Sequence, residues 1–245
     1  MLIKILGIIH LPLLQYSPRF YWLFLQFGRW IVFLFAQLQV KGLTQVPNTG
    51  PRIVVSNHQN NLDVVVLTIA LPLQMRYMAK SELFLIPFWR QIMAWFGAFS
   101  IERGKGDIEA MKHAEDLLLE GNTLVMFPEG TRSRTGRMGR FHRGTAVLAL
   151  RSGATIIPCG VSLTDKVKTP FHLVTRPPLA LNVGAPITVM RENPNNENVV
   201  SLTEEIAKAV EQKVIAGIIT SEFLGKFKDF KANVIASVPF AQPIE

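Results

Sequence analysis

The chain has 245 residues but a single cysteine, Cys159, so no disulfide framework can form within it. Cys159 lies in an apolar run, which suits a buried, inert thiol. The five histidines, at 10, 58, 113, 142 and 172, show no H-x-x-x-H spacing and have no second cysteine to complete a zinc set, so no metal is expected. No G-x-S-x-G elbow occurs, which argues against a nucleophilic serine. Internal repeats and low-complexity segments are also missing. Acidic side chains are scarce, 18 against 26 lysines and arginines, and residues 1–62 hold none.

What is present narrows the class further. Hydrophobic residues at 49% with only 18% charged exclude a disordered chain and provide one sizeable core. The net charge of +8 calls for an anionic partner. Lys4, Arg19, Arg29, Lys41 and Arg52 punctuate long apolar runs, a membrane-surface composition. No helix-turn-helix, zinc finger or aromatic RNA-binding signature accompanies the charge, so nucleic acid is not expected as a partner.

Residues 1–14 and 20–38 are strongly apolar and are separated by a polar stretch containing Pro18. The second run could span roughly 30 Å as a helix. Gln26 and Arg29 fall near its middle, where a charge costs at least about 2.5 kcal/mol. A shallow two-helix segment at the membrane interface, held by Trp22, Trp30 and the arginines, fits better, with a single span as the alternative. Residues 1–40 are therefore read as a membrane-anchoring segment and 41–245 as a separate domain.

From Pro51 onward, short apolar runs alternate with helical stretches. Strands are predicted at 52–56, 76–79, 98–102, 123–127 and 155–161. A helix is predicted over 107–120, with Asp107 as N-cap, Ile108, Met111, Leu117 and Leu118 on one face, and Gly121 as the stop. A second follows Gly139 and runs to Gly153. Past 182 the pattern weakens, until the capping box Ser201-Leu202-Thr203-Glu204 opens a helix to about 215. This alternation predicts an α/β fold with a mixed, largely parallel sheet flanked by helices.

Three stretches carry candidate chemistry. His58 and Asp63 stand five apart after the run Ile53-Val54-Val55, and one regular helix would place them about 140° apart. They can meet if His58 sits in a turn capped by Asn57 or Ser56 and Asp63 reaches back from the first helical turns. An imidazole so oriented can act as a general base on an alcohol. Ser100-Ile101-Glu102-Arg103-Gly104 and Phe127-Pro128-Glu129-Gly130-Thr131-Arg132-Ser133 each place an arginine beside a glycine at a strand end, suited to a phosphate. Five further-spaced cations, Arg132, Arg134, Arg137, Arg140 and Arg143, follow without an acidic residue between them. They suit a solvated loop or a functional contact with anionic headgroups or an acidic carrier protein, and Met138 and Phe141 among them favour the headgroups over the carrier protein.

His58-x4-Asp63, Phe99 to Arg103, Phe127 to Arg132 and Ile157-Pro158 occur in the order of the four motifs of the glycerolipid acyltransferases, and the chain resembles that family over about residues 52–185. It is most similar to the 1-acylglycerol-3-phosphate (lysophosphatidate) acyltransferases. Glu102 stands where many members have aspartate. The resemblance implies that His58 is the general base and that Asp63 orients it. It implies an acceptor-binding set of Arg103, Glu129, Gly130, Thr131 and Arg132. Pro158 would belong to the acyl pocket, and Lys80 and Asn57 form a second tier. The expected reaction moves an acyl group from acyl carrier protein or acyl-CoA to the sn-2 hydroxyl of lysophosphatidate, without cofactor, at the cytoplasmic face of the cell membrane. Glycerol 3-phosphate or another lysolipid is the alternative acceptor; a lipid hydrolase or a basic binding module is a more remote reading. The oxyanion donors are expected among backbone amides near the His58 turn.

Overall fold

A computed structural model describes residues 18–80, 84–85, 90, 97–101, 108–133 and 135–237. Seven strands form one sheet: β1 (Gln37–Lys41), β2 (Arg52–Ser56), β3 (Met75–Lys80), β4 (Phe99–Ile101), β5 (Thr123–Met126), β6 (Thr155–Ser162) and β7 (Pro178–Val183). Their order is β1-β7-β6-β2-β5-β3-β4. Every neighbouring pair is parallel except β6 with β7. The sheet is thus mixed and largely parallel, as the alternation of strand and helix predicts.

Helices cover both faces. On one side lie α1 (Pro18–Phe35) and α2 (Leu62–Ala70); on the other lie α3 (Ile108–Leu119), α4 (Gly144–Ser152) and α5 (Asn196–Ser237). The central strand β2 shows why a sheet covered twice reads as a continuous apolar run. Ile53 and Val55 face the core under α3, α4 and α5, whereas Val54 faces the core under α2, and all three are fully buried. Each such burial contributes about 1.5–3 kcal/mol.

Several elements differ from the sequence reading. The apolar run predicted to stay helical through 38 ends at Phe35, because residues 37–41 pair in parallel with β7. The α1 helix lies on the domain: Tyr21 and Leu25 are buried, the Tyr21 hydroxyl donates to Leu73 O, and Arg29 Nε donates to Ile69 O at 2.7 Å. Arg29 is therefore turned toward α2 through its Nε. Among the described residues, no helix is long and apolar enough to cross a membrane. The first apolar run, 1–14, lies outside the described residues, as do Glu102 and Asp107.

The buried stripe of α3 is Ala110, Ala114 and Leu118, spaced by four, while Ile108 is 82% exposed. Ile108 lies two positions, about 160° around the axis, from Ala110, and so falls on the opposite face. The helix expected after Gly139 begins only at Gly144, since the preceding residues form a loop whose Phe141 is buried. The last helix starts at Asn196, five residues before the predicted box. Its cap is reciprocal: Asn195 Oδ1 accepts the Asn198 amide and Asn198 Oδ1 accepts the Asn195 amide. At 42 residues it is about 63 Å long, and the Ser201 box lies inside it.

Candidate functional site

Strands β2, β3, β4, β5 and β6 all run the same way, so their carboxyl ends share one edge of the sheet. Ligand sites of open α/β sheets form at that edge. His58 follows β2 by two residues, the turn 127–133 follows β5, and Thr164 follows β6 by two.

Here His58 and Asp63 meet. His58 Nδ1 lies 2.9 Å from Asp63 Oδ2, with Asp63 fully buried and His58 nearly so. The pairing works because Asp63 is the second residue of α2 and its carboxylate points back over the preceding turn. Oδ2 also accepts the amides of Gln59 at 2.6 Å and Asn60 at 2.8 Å. Oδ1 accepts the Thr164 hydroxyl at 2.5 Å. An ionised carboxylate only accepts, so Nδ1 carries the proton and Nε2 is left as the basic nitrogen. The imidazole stacks on Phe127, with centroids 4.2 Å apart and 24° between planes.

The third motif holds this arrangement from the other side. Glu129 is buried; its Oε1 accepts the His58 amide and its Oε2 the Gly139 amide, each at 2.7 Å. Ser133 N donates to His58 O at 2.8 Å. Gly130 closes the turn, its amide donating to Phe127 O, with φ +68° and the His142 ring 3.3 Å from where a Cβ would stand. A residue with a side chain would be strained there. Thr131 and Arg132 are exposed at the tip, with Arg137, Arg140 and Arg143 exposed further along. Gln59 Nε2 donates to Gly136 O, so the cationic loop is tied directly to the His58 turn.

The expected roles of neighbouring groups change. Asn57 does not cap α2; its Nδ2 donates to Val161 O and its Oδ1 accepts the Val161 amide, prolonging the β2–β6 pairing. The backbone amides expected to stabilise an oxyanion are already taken: those of His58, Gln59 and Asn60 all point at carboxylates. Two buried anions crowd the turn, and each consumes donors. Pro158 is buried within β6 opposite Val55, its carbonyl accepting the Gly184 amide at 2.7 Å. It occupies the gap between the Ile156–Ile187 bridge and the β7 pairing that starts at Cys159, where a missing N–H is tolerated. Burial pushes the Cys159 thiol up to about 12, in keeping with the inert role expected of it. Arg103 lies outside the described residues, and Lys80 ends β3 at the same edge.

Thr164 was missed by sequence reading because it stands about a hundred residues from Asp63 and carries no motif of its own. The one signal was its place just after an apolar strand. Among the described residues, no cluster of His, Cys, Asp and Glu could hold a metal ion.

Fold and site together describe an α/β protein whose open sheet edge carries a carboxylate-backed imidazole beside an arginine-rich turn. The chain belongs to the Acyltransferase family, whose sequence model matches residues 37–162. It is 30% identical over 139 residues to the chloroplastic 1-acyl-sn-glycerol-3-phosphate acyltransferase LPAT1 of Arabidopsis thaliana, covering 56% of this chain and 39% of that protein. It is 28% identical over 156 residues to the 1-acyl-sn-glycerol-3-phosphate acyltransferase of Pseudomonas aeruginosa, covering 60% of each. The alpha form from Homo sapiens is 35% identical over 133 residues, 51% of this chain and 46% of that one. The chain thus spans about half the length of the curated relatives it matches. The fold is also that of the crystal structure of the 1-acyl-sn-glycerophosphate acyltransferase PlsC from Thermotoga maritima, with a TM-score of 0.65, 24% identity and 78% of each chain covered.

Proposed function

We propose that this protein moves an acyl group from a thioester, acyl carrier protein or acyl-CoA, to the free sn-2 hydroxyl of 1-acylglycerol 3-phosphate, giving phosphatidate. The observation that carries the reading is the His58–Asp63 pair, whose Nδ1 is bonded to a buried carboxylate at 2.9 Å. In this reading Nε2 takes the proton of the acceptor hydroxyl as its oxygen attacks the thioester carbonyl. A tetrahedral intermediate forms, the C–S bond breaks, and the proton passes from Nε2 to the departing sulfur. Asp63 holds the tautomer and offsets the charge of the transient imidazolium.

Arg132 at the tip of the turn, with Arg103 from the second motif, is the proposed partner of the acceptor phosphate; Gly130 and Thr131 shape the approach. Glu129, with both oxygens engaged by backbone amides, acts in this reading by fixing the turn and His58 rather than by touching glycerol. The proposed membrane contact is the outer face of α1, where Phe27 is 62% and Trp30 67% exposed. An acceptor already seated in the bilayer would then reach His58 at the cytoplasmic face.

Acyl transfer by the purified protein in bilayers tests this, offering lysophosphatidate, glycerol 3-phosphate and lysophosphatidylcholine with each donor. The expected result is transfer to lysophosphatidate that falls at least about a hundredfold in His58→Ala. Release of free fatty acid from lysolipid without any acyl donor would make the protein a lipid hydrolase. Wild-type turnover in His58→Ala would remove the imidazole from the chemistry.

A further inference from the structure

Asp63 is held unevenly. Its Oδ2 accepts three hydrogen bonds, from His58 Nδ1, Gln59 N and Asn60 N, whereas Oδ1 accepts one, from Thr164 Oγ1 at 2.5 Å. The last torsion of an aspartate is broad, so the plane of this carboxylate is set by its hydrogen bonds rather than by a rotamer well. The backbone amides hold Oδ2, and the Thr164 hydroxyl holds Oδ1, so a tilt of the carboxylate out of this plane would loosen the bond to Thr164 together with the one to His58.

Thr164 is itself placed with care. It is fully buried directly after β6, and the residue before it, Leu163, has φ +71°, a left-handed conformation that side chains rarely adopt. The turn that follows is clipped to the dyad turn: Asn60 Nδ2 donates to both Thr164 O at 3.0 Å and Val167 O at 2.9 Å. Asn60 also shares the Asp63 oxygen through its amide, so the two turns are joined from both sides. That strained geometry aims one hydroxyl at one carboxylate oxygen.

We infer that Thr164 is a positioning residue for acyl transfer, acting through Asp63 to keep His58 in the Nδ1–H tautomer and its Nε2 basic. This rests on the general-base reading of His58. The bond from Asn60 Nδ2 to the Thr164 carbonyl does not involve the threonine side chain, so the hydroxyl can be tested separately from the fold.

The test compares Thr164→Val, which keeps the shape and removes the donor, with Thr164→Ser, which keeps the donor, by steady-state kinetics, thermal unfolding and 15N NMR of the His58 ring. In Thr164→Val, kcat should fall about tenfold with acceptor KM within about twofold, since one buried charge-assisted bond is lost and the phosphate site is untouched. The ring should pass from a pure Nδ1–H signature to a mixture of tautomers, and Thr164→Ser should restore both readouts. Wild-type kcat in Thr164→Val, or a loss that Thr164→Ser shares in proportion to lost folded protein, would overturn the assignment. His58→Ala is run alongside. If it still transfers acyl groups at the wild-type rate, the general-base reading fails and the inference falls with it, whereas normal tautomers in Thr164→Val with an inactive His58→Ala sink Thr164 alone.

Discussion

Glu129 Oε1 accepts the main-chain amide of His58 across 71 residues of sequence, at 2.7 Å, while Oε2 accepts that of Gly139. The third motif thus builds the first: the glutamate fixes the main chain at His58 and, through Gly139, pins the cationic loop between Arg137 and Arg140.

Replacing Glu129 by Gln leaves one acceptor oxygen for two amides. The orphaned donor should cost about 1–3 kcal/mol of stability. Turnover should fall about ten- to hundredfold, because sub-ångström shifts of a positioned base are expensive. Chemical denaturation and kcat measured on the same preparation check both, and an unchanged kcat would show that His58 does not depend on this anchor.

Arg132 is exposed at the tip of the turn, one residue before the amide that donates to His58 O. Arg132→Ala should raise the acceptor KM about tenfold or more, with a smaller change in kcat, as expected when uniform binding of a phosphate is lost. Equal KM values for variant and wild type would return the arginine to the solvated loop.

Gly160 lies where α5 crosses β6: a Cβ there would stand 2.3 Å from the backbone of Lys213 and Val214. Backbone cannot step aside as a side-chain tip can. Gly160→Ala should therefore destabilise the protein by about 3 kcal/mol, the upper end for overpacking. Thermal unfolding checks it; a melting temperature equal to wild type would mean that the helix can lift from the strand without penalty.

The outer face of α1 carries Leu23, Phe27, Trp30 and Leu34, whereas its inner face is committed to the domain through Tyr21, Leu25 and the Arg29 bond. Exchanging Phe27 and Trp30 for glutamate should weaken binding to anionic vesicles by more than about tenfold, since each aromatic burial is worth about 1.5–3 kcal/mol. Folding should be unaffected. Vesicle flotation that does not change would locate the membrane contact elsewhere.

Local patterns were read correctly where one physical constraint dominates. Strands β2, β5 and β6 stand out as apolar runs because buried parallel strands must be apolar on both faces. Strands β1 and β7 were not read, since edge and near-edge strands such as Gln37–Lys41 mix polar and apolar residues and owe their pairing to a partner 141 positions away, as Gln37 with Pro178 shows. The cap of α5 was misplaced because Ser201-x-x-Glu204 and Asn195-x-x-Asn198 are both acceptable boxes locally, and only the point where the chain leaves β7 selects between them.

The same division runs through the site. Sequence alone determined the chemical inventory: an imidazole and a carboxylate five residues apart, an arginine-bearing glycine turn, and an apolar strand before each. Tertiary structure alone decided that Glu129 serves backbone amides, that the amides of the His58 turn are spent on two carboxylates, and that Thr164 completes Asp63. Composition and spacing act within about a turn of chain, where covalent geometry sets distance. A hydrogen bond between residues 101 positions apart has no local signature, because sheet order, not sequence, brings the ends of β2 and β6 together.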